Sequence, residues 1–188
     1  MKSLIVIPAR GGSKGIPRKN IKLMNGKPLI CYSIDVARAI EEDINICVST
    51  DDDEIISVVE SYGLYMPFKR PDELATDTAT TNDVLLHAIN FYESKGIFYD
   101  KIVLLQPTSP LRQSYHIKEA IELFHKDIDM VVSVKKSHAA SLISHENANG
   151  YLELCINKGV ARRQELDSYY EYNGSIYVIN IDSLKSLG

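Results

Sequence analysis

The chain has 188 residues, the size of one ordinary domain, and its 45% apolar and 24% charged content suits a buried core and excludes a disordered segment. A formal net charge of −4 excludes a basic surface of the kind that holds nucleic acid or anionic membranes, so neither is expected as a partner. Cys31, Cys47 and Cys155 are odd in number and widely spaced, with no C-x-x-C or Cys/His metal pattern; this fits a reducing cytoplasm.

Residues 3–9 read as a strand, nearly continuous in apolar character. Their Leu4 to Ile7 run is too short for the core of a signal peptide, and no later stretch is long enough to span a bilayer. A glycine-rich basic loop follows. Residues 28–41 then predict a helix, 44–50 a strand, 52–62 and 82–94 helices, and Gly96 is placed to end the last of these. A strand over 101–106 leads to a helix over 114–126, where Ile117, Ala120, Ile121 and Phe124 share one face. Strands are expected at 130–135 and 175–181. The alternation of strand and helix implies an α/β protein, a mainly parallel sheet with helices on both faces. Between about 137 and 172 the rhythm breaks: Asn147-Ala148-Asn149-Gly150 signals a turn, residues 152–156 a short strand, and a tyrosine-rich polar stretch follows. We read this as a hairpin-bearing excursion within one domain spanning 1–188.

The loop is Arg10-Gly11-Gly12-Ser13-Lys14-Gly15-Ile16-Pro17-Arg18-Lys19-Asn20. It leaves the carboxyl end of the first strand, where open α/β sheets bind ligands. Glycines let backbone N–H groups approach phosphate oxygens. Arg10, Lys14, Arg18, Lys19 and Lys22 place five cations within thirteen residues of an acidic chain, as a nucleoside triphosphate requires. Neither G-x-x-x-x-G-K-[ST] nor G-x-G-x-x-G is present, which excludes a Walker A site and disfavours a dinucleotide fold.

This loop resembles the signature of the bacterial cytidylyltransferases that activate sialic acids and related nonulosonic acids. Four further stretches resemble the same family in the same order: Val48-Ser49-Thr50-Asp51; Arg70-Pro71-Asp72-Glu73-Leu74-Ala75-Thr76-Asp77-Thr78-Ala79; Leu105-Gln106-Pro107-Thr108-Ser109-Pro110-Leu111-Arg112; and Arg163-Gln164 with Asn173-Gly174-Ser175-Ile176-Tyr177. The resemblance implies a Rossmann-like nucleotidyltransferase fold with a small dimerisation excursion, and a cytoplasmic homodimer that moves CMP from CTP onto an acidic nine-carbon sugar with the help of Mg²⁺. By the same resemblance Arg10, Ser13, Lys14, Lys19 and Asn20 hold the triphosphate, with Lys19 and Arg10 catalytic through charge neutralisation. Arg70, Ala79 and Thr81 position the cytidine. Gln106, Thr108 and Tyr177 belong to the sugar side, and Arg163 grips the sugar carboxylate, for which its planar fork is suited. From the residues alone, Arg163 is equally a surface ion pair with Glu165 or Asp167, and Arg70 an extended residue before Pro71.

Family members run several dozen residues further and carry a metal-binding D-x-D pair; no acid of this sequence matches it, so the metal ligands stay unnamed. Ala140-Ser141-Leu142-Ile143 stands where sialic acid enzymes often place a lysine, and Glu171 where some relatives have arginine. Both leave legionaminic and pseudaminic acid open beside sialic acid. A non-catalytic nucleotide-binding module and an octulosonate enzyme are alternatives, although the latter expects Arg-Leu-Pro-Gly-Lys in the loop. A glycosyltransferase would use Asp51-Asp52-Asp53 as a D-x-D metal pair. The preferred reading of these acids is that they begin a helix and cap its N–H groups.

Overall fold

In strand β1 (Ser3–Pro8) side-chain parity sets the architecture: Ile5 and Ile7 enter one apolar cluster, Leu4 and Val6 another. Successive strand residues point to opposite faces, so a strand apolar at every position must be covered on both sides. The computed structural model, which describes residues 1–13, 15–137, 144–154 and 169–187, shows that it is. Strands β4 (Ile46–Ser49) and β5 (Lys101–Leu105) repeat the division, with Ile46, Val48, Val103 and Leu105 on the side of Ile5, and Cys47, Ile102 and Leu104 on the side of Leu4.

Helices α1 (Leu29–Arg38), α2 (Asp53–Ser61) and α4 (Ser114–Glu122) cover the first face, through residues such as Ile34, Val59 and Ile117. Helices α3 (Thr81–Ser94) and α5 (Ile181–Leu187) cover the second, through Leu85, Ile89 and Leu184. The entry to α3 is fixed by a capping box: Asp83 N–H donates to Thr80 Oγ1 at 3.2 Å, and Thr80 N–H to Asp83 Oδ2 at 2.8 Å. With β6 (Met130–Ser137) and β9 (Tyr169–Asn180), the sheet order is β4-β1-β5-β9-β6. β1 runs parallel to β4 and β5, whereas β9 runs antiparallel to β5, with Leu104 opposite Tyr177. The sheet is thus mixed and mostly parallel, as expected.

Among the described residues, a hairpin and a helix escaped the sequence reading. Strands β2 (Leu23–Met24) and β3 (Lys27–Pro28) form a small hairpin whose turn residues Asn25 and Gly26 have φ of 50° and 78°. Asn-Gly at positive φ is the usual hairpin turn. Helix α5 is the other.

The chain divides into two compact units, Met1–Ser133 with Gly174–Gly188, and Val134–Asn173. The first holds the covered sheet. In the second, β7 (Ser144–Glu146) and β8 (Leu152–Leu154) pair antiparallel, and Asn147 Oδ1 closes their turn by accepting from Asn149 N–H and Tyr151 N–H, both at 3.0 Å. Residues 155 and 156 of the strand expected there lie outside the described residues.

Candidate active site

The loop after β1 and the turn after β5 face one another across a cavity of about 400 Å³ lined from Pro8 on one side to Gln106, Pro107 and Thr108 on the other. Arg10 and Lys19 both line it, and Lys19 forms no ion pair with any acid among the described residues. Ser13 and Asn20 are also in the wall. Asn20 is buried and donates from Nδ2 to Arg10 O at 3.1 Å, tying the end of the loop back to its start. Arg10 crosses to the opposite rim, where its Nη1 pairs with Asp77 Oδ1 at 3.1 Å and reaches Thr76 O at 3.4 Å.

The base of the cavity is built around Arg70, whose side chain is only 4% exposed. Its Nη2 donates to Asp51 Oδ1 at 3.1 Å, and the same oxygen accepts Gly11 N–H at 3.2 Å. Asp51 therefore joins the glycine loop to Arg70. Burial lowers the Arg70 pKa, and nearby Arg10 acts in the same direction, while Asp51 opposes the shift. Its Nε is buried with no hydrogen-bond partner. Ala79 and Thr81 line the adjoining wall at the start of α3, and Ala79 N–H is held by Thr76 Oγ1 at 3.2 Å.

Gly11 also has a packing role in the loop. A Cβ on Gly11 would lie 2.8 Å from Asp52 Cβ, so the close approach of α2 demands glycine there. At Gly12 and Gly15 a Cβ would meet nothing within 4 Å. The five cations also part company. Arg18 pairs with Asp52 and Glu54 at the start of α2, so its charge is already committed. Lys22 is exposed and not in the cavity wall. Lys14 and Arg163 lie outside the described residues. Tyr177 is not brought to the cavity; it stands opposite Leu104 in the sheet and packs against the cluster of Leu4.

The aspartate triplet has structural occupations. Asp52 is the N-cap of α2 and accepts from Glu54 N–H and Ile55 N–H, both at 3.0 Å; Asp53 stands in the first turn and pairs with Lys69. Among the described residues no group of three His, Cys, Asp or Glu side chains is placed to hold a metal. Sequence reasoning missed Asp51 as the joint between loop and Arg70, and Asp77 as the partner of Arg10. Both lie inside stretches singled out for their motif, but pairing across 19 and 67 positions has no local signature.

The architecture is a Rossmann-like nucleotidyltransferase fold. It superposes on the solved structure of a CMP:2-keto-3-deoxy-manno-octonic acid synthetase complexed with CTP, with a TM-score of 0.73 over 100% of this chain and 77% of that one, at 22% identity. Residues 4–174 match the cytidylyltransferase family model, and the chain belongs to that family. It is 40% identical over 186 residues to an N-acylneuraminate cytidylyltransferase of Streptococcus agalactiae, covering 96% of this chain and 44% of that protein. It is 36% identical over 188 residues to a CMP-N,N'-diacetyllegionaminic acid synthase of Legionella pneumophila, covering 95% and 78% respectively. The chain thus spans less than half the length of the N-acylneuraminate cytidylyltransferase it matches.

Proposed function

We propose that this chain transfers CMP from CTP to the anomeric hydroxyl of an acidic nine-carbon sugar of the N-acylneuraminate type, giving the CMP-sugar and pyrophosphate. The observation that carries the reading is the convergence of Arg10 and Lys19 on the same cavity as Arg70 and the Gln106 to Thr108 turn. That arrangement offers cations to a triphosphate, a buried fork to the cytidine, and neutral polar groups to a hydroxylated acceptor. Relatives named for two different nonulosonic acids, at 40% and 36% identity, support the substrate class and keep legionaminic acid beside sialic acid; pseudaminic acid is tested with them.

In this mechanism the sugar oxygen attacks the α-phosphorus in line, the bond from that phosphorus to the bridging oxygen breaks, and pyrophosphate departs. Lys19 and Arg10 offset the charge that builds on the transferring phosphate and on the leaving group, already aimed before reaction. Ser13, Asn20 and Lys14 complete the triphosphate contacts. Arg70, with Ala79 and Thr81, orients the cytidine. Gln106 and Thr108 orient the sugar, and Arg163 takes its carboxylate. Mg²⁺ is part of the proposal as the divalent cation of CTP chemistry, but the described residues present no carboxylate cage that fits it, so no step is drawn through it. The proposal also places the protein in the cytoplasm as a homodimer formed through the second unit. In support, no described helix is long and apolar enough to cross a membrane, and Cys31 and Cys47 are free thiols.

The test is pyrophosphate release from CTP with a panel of nonulosonic acids. Lys19→Ala is expected to lower kcat about a hundred- to a thousandfold with the melting temperature unchanged. Full turnover by that variant would remove Lys19 from the chemistry. Binding of CTP without pyrophosphate release would make the chain a nucleotide-binding module.

A further inference from the structure

Arg112 is a buried cation that the mechanism above leaves unused. It is 4% exposed, and no acid among the described residues forms an ion pair with it. Burial pushes its pKa down to about 10, which leaves it protonated at neutral pH. An arginine stripped of water and given no carboxylate is costly, and an apolar side chain would fill the same space without that cost.

The guanidinium spends its donors on three separate elements. Nη2 donates to Gln106 O at 2.5 Å, Nε to Ser175 Oγ on β9 at 3.1 Å, and Nη1 to buried Ser33 Oγ on α1 at 3.4 Å. The Gln106 carbonyl also accepts Ser109 N–H at 3.3 Å, and Arg112 N–H returns to Ser109 O at 3.2 Å. The turn after β5 is therefore closed upon itself and pinned from inside through one carbonyl. On the other side of Gln106, the position a Cβ would take on Gly174 lies 3.8 Å from Gln106 Oε1. The amide is bracketed by β9 while its own backbone is held by Arg112.

We propose that Arg112 is a positioning residue of the acceptor side: by holding the Gln106 carbonyl against α1 and β9, it sets where Gln106 and Thr108 meet the acidic sugar. The proposal rests on the transfer reading given above. Gln106 and Thr108 line the cavity whereas Arg112 does not, so its effect passes through the turn alone. The CTP side, built on the loop after β1 and on Arg70, shares no hydrogen bond with Arg112.

Steady-state kinetics of Arg112→Lys and Ser175→Ala test this, with KM measured separately for CTP and for the sugar. Lysine keeps the charge but loses the planar fork, so the sugar KM is expected to rise about tenfold or more while the CTP KM stays within about twofold. Ser175→Ala removes only the Nε acceptor and is expected to shift the same constant, in the same direction, by less. It decides the matter alone if Arg112→Lys does not fold. A sugar KM within twofold of wild type in the folded variants, or parallel rises in both KM values, overturns the proposal and leaves Arg112 a packing residue. A wild type that releases no pyrophosphate with any acidic sugar refutes the transfer reading first, and this role with it.

Discussion

Replacing Asp52 by alanine separates a helix cap from a metal ligand. The carboxylate accepts two backbone N–H groups at 3.0 Å, and losing an N-cap of this kind costs about 0.5–2 kcal/mol. Its ion pair with Arg18, whose side chain is 49% exposed, adds no more than about 0.2–1 kcal/mol once solvent screening is counted. Together these give about 1–3 kcal/mol, and for a chain of this size each kcal/mol moves the melting temperature by about 2–4 °C. Asp52→Ala is therefore expected to melt about 2–12 °C below wild type, and Asp52→Asn, which keeps a capping oxygen, only slightly below. The assay is a thermal melt of each variant, paired with a magnesium titration of turnover. The half-saturating magnesium concentration should not move. A variant that melts like wild type yet needs tenfold more magnesium would refute the cap and make Asp52 a metal ligand instead.

Gly11→Ala would drive a Cβ into Asp52 and break the Gly11 N–H bond to Asp51, so calorimetry should show CTP binding weakened about tenfold. Burial and the neighbouring Arg70 hold the His87 pKa below its ordinary 6.5. Above that value the imidazole is neutral folded and unfolded; as pH falls through it, the unfolded chain takes a proton that the fold resists. Stability should decline toward pH 5.5, and His87→Phe, beside Phe68, should flatten the difference in melts between pH 8 and 5.5. Burial pushes the Cys31 thiol up to about 11 and the Cys47 thiol up to about 12, so iodoacetamide at pH 8 should spare both in the native protein and label both in denaturant, as read by peptide mass spectrometry.

The centre of the sheet was legible because β1, β4 and β5 are nearly continuous apolar runs, the pattern of strands covered on both faces. Apolar spacing likewise marked the helix over 114–126, and Phe124 does reach the core, although the helix itself closes at Glu122. The direction of β9 was not legible, since an antiparallel strand between covered faces has the same composition as a parallel one. The hairpin at Asn25-Gly26 had a clear turn signal but strands of two residues, too short for periodicity. At the site, the glycine-rich loop pointed to the cavity, yet counting cations could not show that Arg18 is spent on α2. Nor could it show that Asp51 serves Gly11 and Arg70 at once. Those facts depend on which helix start lies beside which loop, and that is settled by the packing of the sheet.

The neighbouring position of β6 and β9 has a consequence for how this fold tolerates change. Ser133 Oγ donates to Ile176 O at 3.3 Å and accepts from Ile176 N–H at 2.9 Å, so the chain departs for its second unit and comes home at almost the same point. The roughly forty residues between therefore close a loop, and doubling or halving their number alters its closure entropy by only about 0.6 kcal/mol. Insertions or deletions of moderate size in that segment can therefore proceed without disturbing the order of the strands that carry the cavity.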